Sequence, residues 1–196
     1  MKTKFLHIAT ALLFAGFTSS CSDFLDRYPL DELSDSSFWK TENDAMMAVT
    51  DIYGCLPTWD QDEDINSDNA VHGIKWAAGN ISKGIYDPMD QSWAGSYTPI
   101  RQCNLVLEKV KDIEMSDESR KKIEGQAYFF RAFVYFNLIR SFGDVPYIDK
   151  PLNLTDVEDI TRTPREEVYA KVMADFDKAI EYLPEEWDAA NTPRVT

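Results

Sequence analysis

A stretch between Trp59 and Trp93 concentrates tryptophan, amide and carboxylate side chains between scattered glycines. Sugar binding needs such groups, because flat aromatic rings stack on the apolar faces of pyranose rings while polar groups reach the hydroxyls. Trp76 lies outside any amphipathic pattern and is the first candidate for stacking. Its nearest polar or amphipathic partners in the sequence are Asp68, Asn80 and Tyr86. The alternative is that Trp76 anchors this long loop to the core, since most tryptophans are largely buried.

The same stretch partly matches a calcium-binding loop. Carboxylates and amides alternate as in the loop of an EF-hand, at Asp60, Asp62, Asp64, Asn66 and Asp68. The match stops there, because Ile65 stands where the loop needs Gly and Val71 stands where it needs Glu. A solvated acidic loop is favoured, and we predict no metal.

Enzymatic chemistry has little support. His72 is the only histidine beyond the first 20 residues, and neither G-x-S-x-G nor H-E-x-x-H occurs. The carboxylates offer no pair that could be placed at a glycosidase separation. Twenty Lys and Arg against 34 Asp and Glu give a net charge of −14, which repels a phosphate backbone. We predict no catalytic residues, no cofactor and no nucleic-acid binding.

The two cysteines that follow Cys21 in the sequence, Cys55 and Cys103, leave two alternatives open. They could form a disulfide if the first two predicted helices touch. Each also fits the apolar face of its helix as a small filler. We favour two buried thiols, because sequence alone does not establish the Cα separation that a disulfide requires.

The first 20 residues, MKTKFLHIATALLFAGFTSS, have the composition of an export signal. Two lysines precede an apolar run that is shorter than the ~20 residues of a membrane-spanning helix. Small residues then lead to Cys21, which we predict to be the lipidated first residue of the mature protein. Ordinary cleavage that leaves Cys21 as a free thiol is the alternative. Residues 1–20 would be a signal peptide and residues 21–40 a lipid-anchored tether.

Apolar residues spaced by three and four predict an all-α domain over residues 41–196, with long loops. The first helix has Thr41 as its N-cap and ends at Pro57. The second covers about 93–110, and Pro99 within it either starts a new segment or kinks the helix.

The third and fourth predicted helices are marked by clear end signals. The third runs from about Ser116 to Phe142 and stops at Gly143. The fourth opens with a capping box at Thr163, followed by Pro164 at its first position, and ends at Pro184.

These last two helices share a tetratricopeptide-like pattern. In the first helix of the pair, Tyr128, Ala132 and Tyr135 have the spacing of a tetratricopeptide helix, and Phe176, Ala179 and Pro184 match the end of the second. Small residues there let antiparallel helices approach closely. One pair cannot bury both of its faces, so we expect a chain truncated at its C-terminus, with more helices beyond it.

Four ordered segments together carry a family resemblance: CSDFLD, QSWAGSYTPIRQCNLVLE, GQAYFFRAFVYFNLIRSFGDVP and VYAKVMADFDKAIEYLPEEW. They resemble the SusD/RagB family of nutrient-binding outer-membrane lipoproteins, with small departures such as GQA where GEA is common. Family members are more than twice this length, so the resemblance implies the N-terminal portion of a larger SusD-like fold.

The resemblance also implies a function. A family member is displayed on the cell surface by its lipid anchor and binds a polysaccharide, an oligosaccharide or, in some members, oligopeptides. It hands this ligand to a SusC-like TonB-dependent transporter and has no enzymatic role. The alternative is a structural docking platform for the transporter, with the ligand site in the missing C-terminal part.

Overall fold

The computed structural model describes residues 38–56, 84, 91–157, 159–189, 191 and 193–196. Four α-helices occupy most of them: α1 (Glu42–Ile52), α2 (Gln91–Lys109), α3 (Asp117–Phe142) and α4 (Arg165–Tyr182). Short 3₁₀ turns follow α1 and α2, and a third lies at Leu154–Val157. No strand forms within these ranges, so the predicted all-α class is confirmed.

α1 begins where the sequence predicts. The Thr41 side chain accepts from the Asp44 backbone N–H at 3.3 Å, and the Asp44 carboxylate accepts from the Thr41 N–H at 2.8 Å. These bonds satisfy N–H groups that the first turn leaves free. The Thr41 hydroxyl also donates to the Asp44 carboxylate at 2.7 Å, and this bond, together with the one from the Thr41 N–H, lowers the pKa of Asp44. The helix then buries Ala45, Val49 and Ile52 on one face.

Helix α2 continues through Pro99 as a single element, so of the two alternatives at this proline the start of a new segment is excluded. α3 supplies the centre of the core, with Ile123, Ala127 and Phe130 fully buried. Gly143 caps α3 at a φ of 70° and donates its N–H to the Ile139 carbonyl at 3.1 Å. Only glycine adopts that conformation without strain, which confirms the predicted stop.

The connection from α3 to α4 is long but closes on itself. Val145 and Thr163 form an isolated antiparallel bridge, with N–H to carbonyl distances of 3.3 and 3.0 Å. The bridge therefore joins the chain three residues after the end of α3 to the chain two residues before the start of α4. This bridge reconciles the tetratricopeptide-like spacing with the length of the connection.

The start of α4 differs from the prediction. The helix begins at Arg165 after Pro164, and Thr163 makes no capping hydrogen bond. Thr163 instead pairs with Val145, and its hydroxyl accepts from the Tyr147 N–H at 3.4 Å. The Asp144 carboxylate takes over the cap and accepts from the Arg165 N–H at 2.9 Å.

Helices α3 and α4 approach closely through small residues. Ala132 and Ala179 are buried, as the tetratricopeptide-like pattern requires. Gly125 adds a contact that the sequence did not indicate. A Cβ atom placed there would lie 3.0 Å from Leu183 Cγ and 3.1 Å from Tyr182 Cβ.

The segment after α4 returns to α1 and α3. Arg194 donates to the Thr50 hydroxyl at 2.9 Å and to the Gln126 side-chain oxygen at 3.1 Å. The Val195 N–H donates to the Tyr53 hydroxyl at 3.0 Å, and Tyr53 donates to Gln126 at 2.9 Å. This network fixes residues 194–195 against the core. The Val195 side chain is partly buried and packs against the core cluster.

Candidate ligand-binding site

The sequence-predicted sugar residues Trp76, Asp68, Asn80 and Tyr86 lie outside the described residues. The acidic positions tested for calcium, the Cys21 lipidation site and His72 lie outside them too. These remain predictions. What the structure does describe is the two ends of the loop that carries the sugar residues, since α1 and its 3₁₀ turn precede that loop and α2 follows it.

Trp93, near the start of α2, has a structural role. Its ring meets Phe142 edge-on, with centroids 5.0 Å apart, and lies 5.8 Å from the Tyr97 ring. The Arg162 guanidinium lies 5.2 Å from the Trp93 centroid. Trp93 is therefore a packing residue that joins the start of α2 to the end of α3.

A cleft of about 370 Å³ opens between the end of α1, the first half of α2 and the middle of α3. Its volume falls at the lower end of the range for small-molecule sites. Eleven residues line it: Asp51, Gly54, Cys55, Gly95, Ser96, Thr98, Pro99, Gln102, Phe133, Val134 and Asn137.

Two hydrogen bonds orient the polar side chains of this cleft. Gln102 Nε2 donates to Asp51 Oδ2 at 2.6 Å, which ties α2 to α1. Asn137 Nδ2 donates to the Phe133 carbonyl at 3.1 Å within α3. Both amides therefore use their nitrogens for the protein and leave their oxygens as acceptors.

The backbone of α2 adds an acceptor to the cleft. Pro99 has no N–H and cannot bond the carbonyl of Gly95, four residues earlier in the helix. Both residues line the cleft. Neither glycine of the lining, Gly54 or Gly95, has an atom within 4 Å of where a Cβ would stand, so each borders open space.

A buried ion pair lies next to the middle of α3. Arg131 Nε and Nη2 each donate to one oxygen of Asp175, both at 2.7 Å, and Nη1 donates to Asn104 Oδ1 at 2.8 Å. Burial alone would lower the pKa of Arg131, but the hydrogen bonds and charge of Asp175 outweigh it and raise that pKa. Arg131 is therefore one partner of a buried ion pair, whereas Arg140, nine residues further along α3, is exposed.

The same region secures the long α3–α4 connection. The Tyr135 hydroxyl accepts from the Ile148 N–H at 2.6 Å and donates to the Ile148 carbonyl at 3.1 Å. Asn104 Nδ2 donates to that carbonyl at 2.9 Å, and the Tyr97 hydroxyl donates to the Pro146 carbonyl at 3.0 Å. Burial raises the pKa of Tyr97 to about 12. These polar groups are engaged within the protein and form a structural support rather than a site.

The two cysteines are free thiols in the structure. Cys103 is buried, and burial raises the pKa of its thiol. Cys55 is half-buried, lines the cleft, and also has a raised thiol pKa because of burial. The favoured alternative of two thiols agrees with the structure, although Cys55 is less buried than expected.

Sequence reasoning missed the cleft because its walls come from three separate helices. The Asp51–Gln102 bond joins residues 51 positions apart, and no local periodicity marks such a contact. One local signal was available: Pro99 within a helix, four residues after Gly95, exposes a carbonyl.

Membrane-spanning helices and metal-binding clusters are both absent from the described ranges. No helix there is long and apolar enough to cross a membrane. No group of three or more His, Cys, Asp or Glu side chains in those ranges could hold a metal ion.

Comparison with known proteins defines the class. Residues 23–196 match a family model, SusD-like, that is described as starch-binding and associating with the outer membrane. This match covers nearly all of the chain and every helix described above. The chain belongs to the SusD-like family, as the four segments indicated.

Relatives from two bacteria support the assignment. The chain is 30% identical to SusD-like protein P2 of Formosa agariphila, over 94% of this chain and 38% of that protein. It is 26% identical to a SusD-like protein of Bacteroides ovatus, over 96% of this chain and 36% of that protein. The chain thus spans little more than a third of the length of these relatives.

Solved structures show the same fold. A SusD-like protein of Bacteroides fragilis superimposes with a TM-score of 0.74 at 27% identity, over 87% of this chain and 35% of that one. A laminarin-binding SusD-like protein gives a TM-score of 0.71 at 22% identity, over 80% of this chain and 37% of that one. The four helices are therefore part of the larger SusD-like fold, as predicted.

Proposed function

We propose that this protein is a cell-surface lipoprotein of the outer membrane that binds nutrient glycans and delivers them to a SusC-like TonB-dependent transporter. The single observation that carries the proposal is the match of residues 23–196 to a family of starch-binding, outer-membrane-associated proteins. The function is binding without catalysis.

The ligand class follows from the family and from one structural relative. The family description names starch, and a protein of the same fold binds laminarin. Both are neutral glucans. In this chain, Trp76 would stack on a sugar ring, and Asp68, Asn80 and Tyr86 would reach hydroxyls.

Display would depend on the N-terminus. Residues 1–20 direct export, Cys21 carries the lipid, and residues 21–40 serve as the tether between membrane and helical domain. Two or three acyl chains, each contributing ~0.8 kcal/mol per buried CH₂, would hold the protein on the membrane. Tethering raises the local glycan concentration at a neighbouring transporter, which is how a protein without catalysis assists uptake.

Affinity electrophoresis tests the glycan site. We expect gels containing laminarin or starch to retard the wild-type protein, Trp76→Ala to abolish the retardation, and Trp76→Phe to retain part of it because a ring remains. Circular dichroism checks that each variant is folded.

The same experiment distinguishes glycan capture from the main alternative, a structural docking platform for the transporter. If neither glycan retards the wild type, nor any of a wider polysaccharide panel, glycan capture by this chain is wrong. The docking platform for the transporter would then be favoured.

A further inference from the structure

The polar lining of the cleft between α1, α2 and α3 combines carboxylate, amide and carbonyl acceptors with the hydroxyls of Ser96 and Thr98. Gln102 and Asn137 each use one amide N–H within the protein, and the oxygen of each amide is a hydrogen-bond acceptor. Asp51 has a second carboxylate oxygen beyond the one bound by Gln102. The carbonyl of Gly95 has no helical donor because Pro99 lacks an N–H. A ligand that fits these groups must bring hydroxyl donors.

The charge of the lining selects against anions. None of the eleven lining residues is Lys or Arg, and Asp51 contributes a negative charge. An anionic group entering the cleft would lose hydration without gaining a cation, which is costly. The whole chain adds to this repulsion with its net charge of −14.

One wall of the cleft is apolar. Phe133 and Val134 line it beside the polar groups, and the Phe133 ring lies parallel to Phe129, with centroids 6.3 Å apart and planes at 9°. A ring held by a stacked neighbour forms a rigid surface, on which the apolar face of a sugar can rest.

We propose that this cleft is a second sugar subsite, which binds one neutral sugar residue of a glycan and discriminates against uronate and sulfated residues. The inference rests on the proposed glycan-binding function and adds a site and a specificity to it. Two lining residues, Cys55 and Gly95, lie close in sequence to residues 57–90, which include Trp76.

Filling the cleft tests this directly. At Gly95 a Cβ would meet no other side chain among the described residues within 4 Å, so Gly95→Leu can add its side chain to the cleft, and circular dichroism checks that the variant is folded. Ala94→Leu is the matched control, because Ala94 is an exposed neighbour on the same helix that does not line the cleft. We expect Gly95→Leu to weaken binding to laminarin or starch by about tenfold or more, and Ala94→Leu to have no effect.

A second measurement locates the ligand. Cys55 lines the cleft and Cys103 is buried, so iodoacetamide should label Cys55 faster. Saturating laminarin or starch should slow Cys55 labelling at least severalfold in the wild type, measured on the Cys55 peptide by mass spectrometry. Polygalacturonate should neither protect Cys55 nor retard the protein.

Each outcome decides a different claim. If Gly95→Leu binds as well as the wild type and neutral glucans leave Cys55 labelling unchanged, the cleft is not a subsite, while capture by the loop stands. Protection by polygalacturonate overturns the selectivity for neutral sugars. If no neutral glycan binds the wild type, the proposed function fails and the subsite fails with it.

Discussion

Gly125 shows how one missing side chain sets the distance between two helices. A Cβ atom there would lie 3.0–3.1 Å from Leu183 Cγ and Tyr182 Cβ, closer than side chains usually pack. Glycine is normally unfavourable in the middle of a helix, so its position in α3 is explained by this contact.

The comparison of Gly125→Ala with Gly95→Ala tests that explanation. Both changes gain helix propensity, but only the first meets a tight contact. We expect Gly95→Ala to raise the free energy of unfolding by about 0.5–1 kcal/mol and Gly125→Ala to lower it by about 1 kcal/mol, measured by urea denaturation. Equal stabilisation by the two variants would contradict the proposed close approach.

At the same scale, sequence reasoning succeeded where the environment of a residue is set locally. Thr41 and Asp44 lie three positions apart, so their capping box is readable from the sequence. Arg131 is a contrasting case, because its partner Asp175 is 44 positions away and no local pattern in the sequence identifies it.

At the scale of elements, the four helices were predictable and the start of one was not. Apolar periodicity predicted the helices α1 to α4, because each helix must bury one apolar face. The cap of α4 failed because Thr163 pairs with Val145 and Asp144 supplies the capping carboxylate from another part of the chain. At this position a tertiary contact overrides the local capping motif. The cleft was missed for the same reason, since its walls come from three helices.

The Arg131–Asp175 pair is the main polar link between α3 and α4. Removing one partner leaves the other charge buried and unpaired, which costs about 3–5 kcal/mol. We expect Arg131→Met or Asp175→Leu to destabilise the protein on that scale in urea denaturation. The double variant should recover much of the loss, because neither charge remains.

An exposed pair provides the control for this cycle. Lys122 Nζ lies 2.6 Å from Glu118 Oε1 on the surface of α3. Because solvent screens this pair, Lys122→Met should change the free energy of unfolding little. A double variant at 131 and 175 that is no more stable than the weaker single variant would contradict the account of a coupled pair.

At the scale of the whole molecule, the described helices form the scaffold. The proposed function depends in addition on Cys21 and Trp76, which lie outside the described residues. The fold is that of SusD-like proteins more than twice as long. The sequence could predict this because three of the four quoted segments belong to α2, α3 and α4 and contribute residues that pack these helices together. The ligand could not be predicted, because sugar specificity depends on the placement of a few polar atoms in space.

Labelling of intact cells tests the central claim most directly. Cells that produce the full protein should bind fluorescent laminarin or starch at their surface. Cells that produce Cys21→Ala, which has no lipid anchor, should bind little although the protein is still exported. Labelling that is equal in cells with and without the protein, or absent for every neutral glycan tried, would contradict a surface glycan-capture role.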